Sequence, residues 1–226
     1  MSKKFTPNIA FYFILSLSLI GYVLLGYFTE RTNFIQLIIL FGLMFGGYVY
    51  LVSANLTESL IKQGILFSIL FRLSLLFMLP NLSDDYFRFI WDGRLSAHGI
   101  NPFVVMPSSF IDSDQAISAG LNRELFSSMN SQGYYTIYPP VLQFIFWLSG
   151  KLFSSNILGS VIVMRLFIIA AEIGSIFLLP LILKKLELPS KNILLYALNP
   201  LVVIELSGNI HFEALMVFFM LLSVYF

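Results

Sequence analysis

The sequence predicts an all-α, polytopic transmembrane helical bundle, with an extracytoplasmic loop carrying interfacial amphipathic helices. Three observations predict it. The 226 residues are 58% hydrophobic and only 11% charged, whereas a soluble domain is about a quarter charged. The apolar residues fall into long runs, several of them near the ~20 residues that a spanning helix needs. One polar stretch interrupts those runs and gathers Asp84, Asp85, Arg88, Asp92 and Arg94 within a few turns.

Taken in order, residues 8–28 and 33–53 are the first two spans, joined by the turn "TERT". A third run, 63–80, carries Arg72 near its middle. Lys3 and Lys4 precede the first span and no small-residue cleavage site is visible, so that span is read as retained, with the lysines cytoplasmic. Three crossings then place the next segment outside. Residues 81–137 form that segment, a polar insertion in which "GINPF", "PSSFIDSDQ" and "MNSQGYY" scatter turn formers among short helical pieces. An insertion of this length in a compact protein is usually functional.

Beyond it, 138–153, 157–183, 191–206 and 212–226 are apolar again. The positive-inside rule puts Lys184, Lys185 and Lys191 in the cytoplasm, which allows a single crossing between 138 and 183. The run 138–153 is short, begins near Pro139 and Pro140 and contains Lys151, so it is expected to dip into the outer leaflet without crossing. The last run reaches Phe226 with no polar terminus. The expectation is one membrane domain over 1–226, incomplete at its C-terminus: three spans to residue 80, a catalytic loop over 81–137, and further membrane helices over 138–226.

Composition also excludes chemistry. A net charge of +1 leaves no basic surface for nucleic acid. The absence of cysteine removes disulfides, thiol nucleophiles and thiolate metal sites. No metal site is indicated, because His211 and Glu213 diverge at i, i+2 on a helix and His98 is the one other histidine. A divalent ion is compatible with the sequence but nothing in it calls for one.

Wound as a helix, residues 84–95 place Asp84, Asp85, Arg88 and Asp92 within about 100° of arc, with Phe87, Phe89, Ile90 and Trp91 on the rest. Such a helix is expected to lie in the membrane interface with its carboxylates toward water or a cavity. The plain alternative is a solvated ion-pair ladder behind a helix start. Adjacent carboxylates within reach of a hydroxyl also suit general-base chemistry. A second polar group sits in "NPLVVIELSGNIHFEALM": Glu205 and Asn209 share a helical face, Gly208 permits a break, and His211 and Glu213 follow. Ionisable groups at membrane depth are costly and point to function; the alternative is a wet interfacial turn. Arg72 and Arg165 lie inside apolar runs, where they snorkel, pair with Glu172, or bind a phosphate. Tyr138 opens a helix beside two prolines or lines a sugar pocket.

Together, "SDDYFRFIWDGRLSAHGINPF", "YTIYPP" and "LNPLVVIELSGNIHFEALM" resemble the GT-C membrane glycosyltransferases, specifically the bacterial polyprenol-phosphate-mannose-dependent mannosyltransferases. The resemblance runs from about residue 80 to 226. It implies a multi-pass cell-membrane enzyme of the cell envelope with an extracytoplasmic active site. The donor is a polyprenyl-phosphate sugar, mannose above all, the acceptor a hydroxyl on a glycan or glycolipid, and no cofactor is required. By motif position Asp84 is the general base and Asp85 its partner. Arg88, Trp91, Asp92, Arg94, Tyr138, Glu205, Asn209, His211 and Glu213 are implied to bind substrate, and Arg165 the carrier phosphate. Where the family has an aspartate after the histidine, this chain has Glu213. Two other readings stay open: a transporter or flippase using Glu205, His211 and Arg165, and an inactive assembly subunit.

Overall fold

The computed structural model describes residues 7–226. Lys3 and Lys4, expected in the cytoplasm, lie outside the described residues. Every regular element among the described residues is helical. The chain forms two compact units, one from Met1–Asn81 with Ile168–Phe226 and the other from Leu82–Phe167.

In the first unit, α1 (Pro7–Phe28) packs on α2 (Phe34–Ser53) and on α3 (Glu58–Ser74). Local chemistry sets the starts of α2 and α3. Asn33 accepts from the Gln36 N–H at 3.2 Å, and Thr57 from the Leu60 N–H at 3.4 Å, each satisfying a donor the helix leaves open. Tyr22 of α1 packs on Phe71 of α3 with ring centroids 4.8 Å apart. Three helices are long and apolar enough to cross a membrane, Asn8–Phe28, Phe34–Ser53 and Ile157–Lys185, and the chain is membrane-associated.

Two expected runs are corrected. The third helix is not 63–80 but Glu58–Ser74: it starts earlier, where Thr57 caps it, and holds 17 residues. The run 191–206 is not one helix. It breaks into a 3-10 turn, α10 (Ile193–Ala197), α11 (Pro200–Val202) and a π-helical turn, Val203–Gly208. Segment 200–208 then bends by 116° into α12 (Glu213–Tyr225), a broken span or re-entrant loop. At the bend Ile210 has φ +61°, a left-handed conformation that a β-branched residue rarely adopts.

The second unit is built on α4 (Asp85–Ala97) and α8 (Pro140–Leu152), with α5 (Pro107–Phe110), α6 (Asp114–Ser118) and α7 (Arg123–Ser128) between them in sequence. Ser113 and Asn122 cap α6 and α7 by accepting from Ala116 and Leu125 N–H groups. Pro140 sits at the first turn of α8, where a missing N–H costs nothing. At 13 residues α8 rises roughly 20 Å, short of the ~30 Å hydrocarbon layer. The last helix of this unit opens α9 (Ile157–Lys185), which continues into the first unit.

Candidate active site

Helix α4 does not present all its charges on an open face, as its charge pattern suggests. From Arg88 to Leu95 every residue is buried, Asp92 and Trp91 completely. The reason is α8. A Cβ on Gly93 would stand 2.2 Å from the Phe146 carbonyl oxygen, so the two backbones meet with no side chain between them. Phe89 stacks on Phe146 at 4.8 Å, and Tyr138 closes edge-on over both rings. On another side Trp91 faces Phe126 of α7, with ring centroids 6.1 Å apart.

The polar face of α4 finds most of its partners internally, although Arg88 Nη2 and Arg94 Nε are buried without a hydrogen bond. Arg88 Nε donates to Asp92 Oδ1 at 2.9 Å, one helical turn away. Arg88 Nη1 donates to the carbonyls of Ser131 (3.1 Å) and Tyr134 (2.8 Å). Gln143 Nε2 donates to Asp92 Oδ2 at 3.0 Å and to Thr136 Oγ1 at 3.1 Å. Burial pushes the Asp92 carboxyl above its usual range, opposed by the Arg88 charge and these hydrogen bonds. Arg94 donates to the Gly120 carbonyl at 2.7 Å, and its burial lowers its pKa.

Toward the start of α4 the packing opens. Asp84 and Asp85 are half-buried, the least covered of the charged residues on this helix. Asp85 accepts from Asn130 Nδ2 at 2.8 Å, and its own N–H donates to Ser83 Oγ at 3.3 Å. Burial, reinforced by the Asp84 charge, raises the Tyr86 phenol to about 12, so it stays protonated beside the acids. The resulting arrangement is an accessible carboxylate pair mounted on a rigid, internally neutralised helix. A carboxylate so placed can accept a proton from an incoming hydroxyl. Among the described residues no three His, Asp or Glu side chains come together as a metal site.

The other polar group belongs to the first unit. The expected helical pairing of Glu205 and Asn209 is present, with Asn209 Nδ2 donating to Glu205 Oε2 at 3.2 Å. His211 Nδ1 lies 3.3 Å from the same oxygen. Glu213 is exposed as the first residue of α12, and Asn209 is 2% exposed with a buried Oδ1 that lacks a partner. Arg165 is fully buried. Glu172 pairs with Arg72: Arg72 Nη2 is 2.6 Å from Glu172 Oε2, both side chains are fully buried, and Tyr196 donates to the other oxygen. The partner of Arg72 lies 100 residues away in sequence, on another helix.

Residues 17–226 match the family model described as alpha-(1->6)-mannopyranosyltransferase, N-terminal domain. The chain belongs to that family. No curated protein and no solved structure matches it. As a mannosyltransferase-family domain associated with a membrane, it is a glycosyltransferase that works with a sugar donor and a glycan acceptor. Within this mannosyltransferase domain Asn130, Ser131, Thr136 and Gln143 contact the acidic helix, yet sequence inspection did not single them out. Thr136 lies inside the quoted "YTIYPP", and Asn130 and Ser131 inside "MNSQGYY"; Gln143 carries no local signal.

Proposed function

We propose that the protein is a multi-pass GT-C-type enzyme that transfers mannose from a polyprenyl-phosphate carrier to an extracytoplasmic hydroxyl. Asp84 takes the acceptor proton as the oxygen bonds to the sugar C1, and the bond from C1 to the phosphate oxygen breaks. The carrier phosphate leaves with the electron pair. One base suffices because phosphate is a good leaving group, so the two carboxylates need not act as a glycosidase pair. One observation carries this reading: in a mannosyltransferase-family chain, the half-exposed acids on α4 are Asp84 and Asp85, while Arg88 and Asp92 are sealed beneath them.

Asp85 is then partner to the base. Arg88, Trp91, Asp92 and Arg94 shape the site from within, since their burial keeps them from direct contact with a ligand. Tyr138, half-buried against Phe89, offers a ring edge to a sugar. The test is transfer of radiolabelled mannose from polyprenyl-phosphate mannose to a membrane acceptor by the purified chain, with and without Asp84→Asn.

The broken segment 200–208 and α12 favours a second reading, because transporters build sites at interrupted helices. Radiolabel that crosses a proteoliposome membrane without joining an acceptor supports the transporter; label in the acceptor supports the transferase.

A further inference from the structure

Asn130 Nδ2 donates a 2.8 Å hydrogen bond to Asp85 Oδ1, 45 residues back in sequence. An exposed amide–carboxylate bond is ordinarily weak, because water competes and the side chain must be ordered. Here the ordering is done by the loop. Arg88 Nη1 holds the carbonyls of Ser131 and Tyr134, and the Ser108 N–H donates to the Gln132 carbonyl at 2.9 Å. Gln132 Nε2 donates to the Phe126 carbonyl at 2.9 Å. Four bonds thus fix residues 131–134 directly after Asn130. The Arg88 guanidinium is itself fixed by Asp92 at 2.9 Å, and Asp92 by Gln143 at 3.0 Å. A continuous set of polar contacts therefore runs from the buried core of α4, out through the loop, and back to the carboxylate at its start.

We propose that Asn130 is a positioning residue for the Asp85 carboxylate, presented by the loop that Arg88 clamps. With Oδ1 committed to Asn130, the plane of the carboxylate is set and its second oxygen is offered in one direction. The buried Arg88–Asp92 pair acquires a function by this route, although neither residue reaches a ligand. The proposal rests on the reading of Asp84 and Asp85 as the catalytic acids, since an oriented carboxylate matters only where chemistry uses it.

The experiment compares Asn130→Ala, Asp85→Asn and the exchange Asp85→Asn with Asn130→Asp, in the full chain. The readouts are kcat, KM and thermal unfolding, with Asp84→Asn alongside. The exchange rebuilds the same amide–carboxylate bond with its ends reversed. Positioning predicts that Asn130→Ala lowers kcat by about tenfold with KM little changed. It also predicts that the exchange recovers thermal stability while kcat stays as low as in Asp85→Asn. Unchanged kcat in Asn130→Ala overturns the proposal, as does an exchange that restores kcat together with stability, which marks the bond as structural. Full activity in both Asp84→Asn and Asp85→Asn overturns the base assignment instead. Loss in those two with Asn130→Ala unaffected overturns the positioning role alone.

Discussion

Gly93 and Gly150 bring α4 and α8 into backbone contact: a Cβ on Gly150 would stand 2.5 Å from the Gly93 carbonyl oxygen. The contact is what lets a helix rich in charge be buried. At this separation the polar face of α4 lies against Gln143 and residues 131–136, where Arg88 and Asp92 find partners, instead of against water. Gly93→Ala has no flexible side chain to push aside, only the Phe146 carbonyl. Its expected cost is about 1–3 kcal/mol or more, as for overpacking of a filled core. Thermal unfolding in detergent measures it. An unchanged midpoint would mean that the helices separate freely and that the close approach is unimportant.

Arg88 and Asp92 form a buried ion pair, so removing one member is worse than removing both. Arg88→Met leaves the Asp92 carboxylate sealed with Gln143 and Thr136, and should cost about 3–5 kcal/mol. The double change to Met and Leu should recover a large part of that loss. A double-mutant cycle measures the coupling, and additive losses would contradict it.

The pH dependence of the second unit follows from Asp92. Its carboxyl titrates above the unfolded value because burial disfavours the charge. The folded state therefore holds its proton to higher pH than the unfolded chain. Stability from this residue is greatest below the unfolded pKa and is lost as pH rises through the folded pKa. Asp92→Asn should flatten the fall in unfolding midpoint as pH rises from about 4, the ordinary aspartate pKa. A slope identical to that of the parent chain would show that Asp92 is not responsible.

How much of this was readable follows from where each signal sits. Apolar runs gave α1, α2 and α9, because the membrane demands length and hydropathy that a window of sequence contains. Turn formers over 81–137 marked short helical pieces, two of which the structure shows capped by Ser113 and Asn122. The face shared by Asp84, Arg88 and Asp92 was legible from spacing, but its burial was not. That burial depends on Gln143 and Gly150, more than 50 residues from Asp92 and Gly93 that they meet, and on a pair of glycines that resemble any others. Arg72 was visible as an oddity, whereas its partner Glu172 was set by tertiary packing. The π turn at Val203–Gly208 left no trace beyond Gly208, because one additional residue in a helical turn does not alter the apolar pattern.

In the first unit, Arg72 joins α3 to α9 through Glu172 and to α10 through the Ala197 carbonyl, accepted at 2.9 Å. Glu172→Leu should strand a buried guanidinium and destabilise this unit by about 3–5 kcal/mol, while Arg72→Met with Glu172→Leu should approach the parent. Intrinsic-fluorescence unfolding curves check this. A double variant as weak as Glu172→Leu would show that the pair itself, and not its desolvated remnant, supplies the stability.

The sidedness of residues 81–137 turns on α3. If α1, α2 and α9 alone crossed, two crossings would precede the loop, and residues 81–137 would share the cytoplasm with the N-terminus. Helix α3 holds 17 residues, a rise of roughly 26 Å, slightly under the ~30 Å layer. Its buried Arg72 is neutralised by Glu172, so the charge does not forbid a crossing. The flanking apolar residues 75–79 extend the run, and mismatch of a few ångströms costs only fractions of a kcal/mol per Å. A crossing by α3, followed by α8 failing to cross and α9 returning, also leaves Lys184, Lys185 and Lys191 inside, as the positive-inside rule requires. The native chain has no cysteine, so single cysteines report cleanly. Ser109, Ser190 and Glu213 are exposed and suit labelling, whereas Asn209 is too buried. Ser109→Cys and Glu213→Cys should react with a membrane-impermeant maleimide from outside, and Ser190→Cys only after permeabilisation. Protection at Ser109 would mean that α3 turns back and that the acids face the cytoplasm. External reaction at Ser190 would mean that α8 crosses despite its length, separating the loop from the C-terminal polar group by the bilayer.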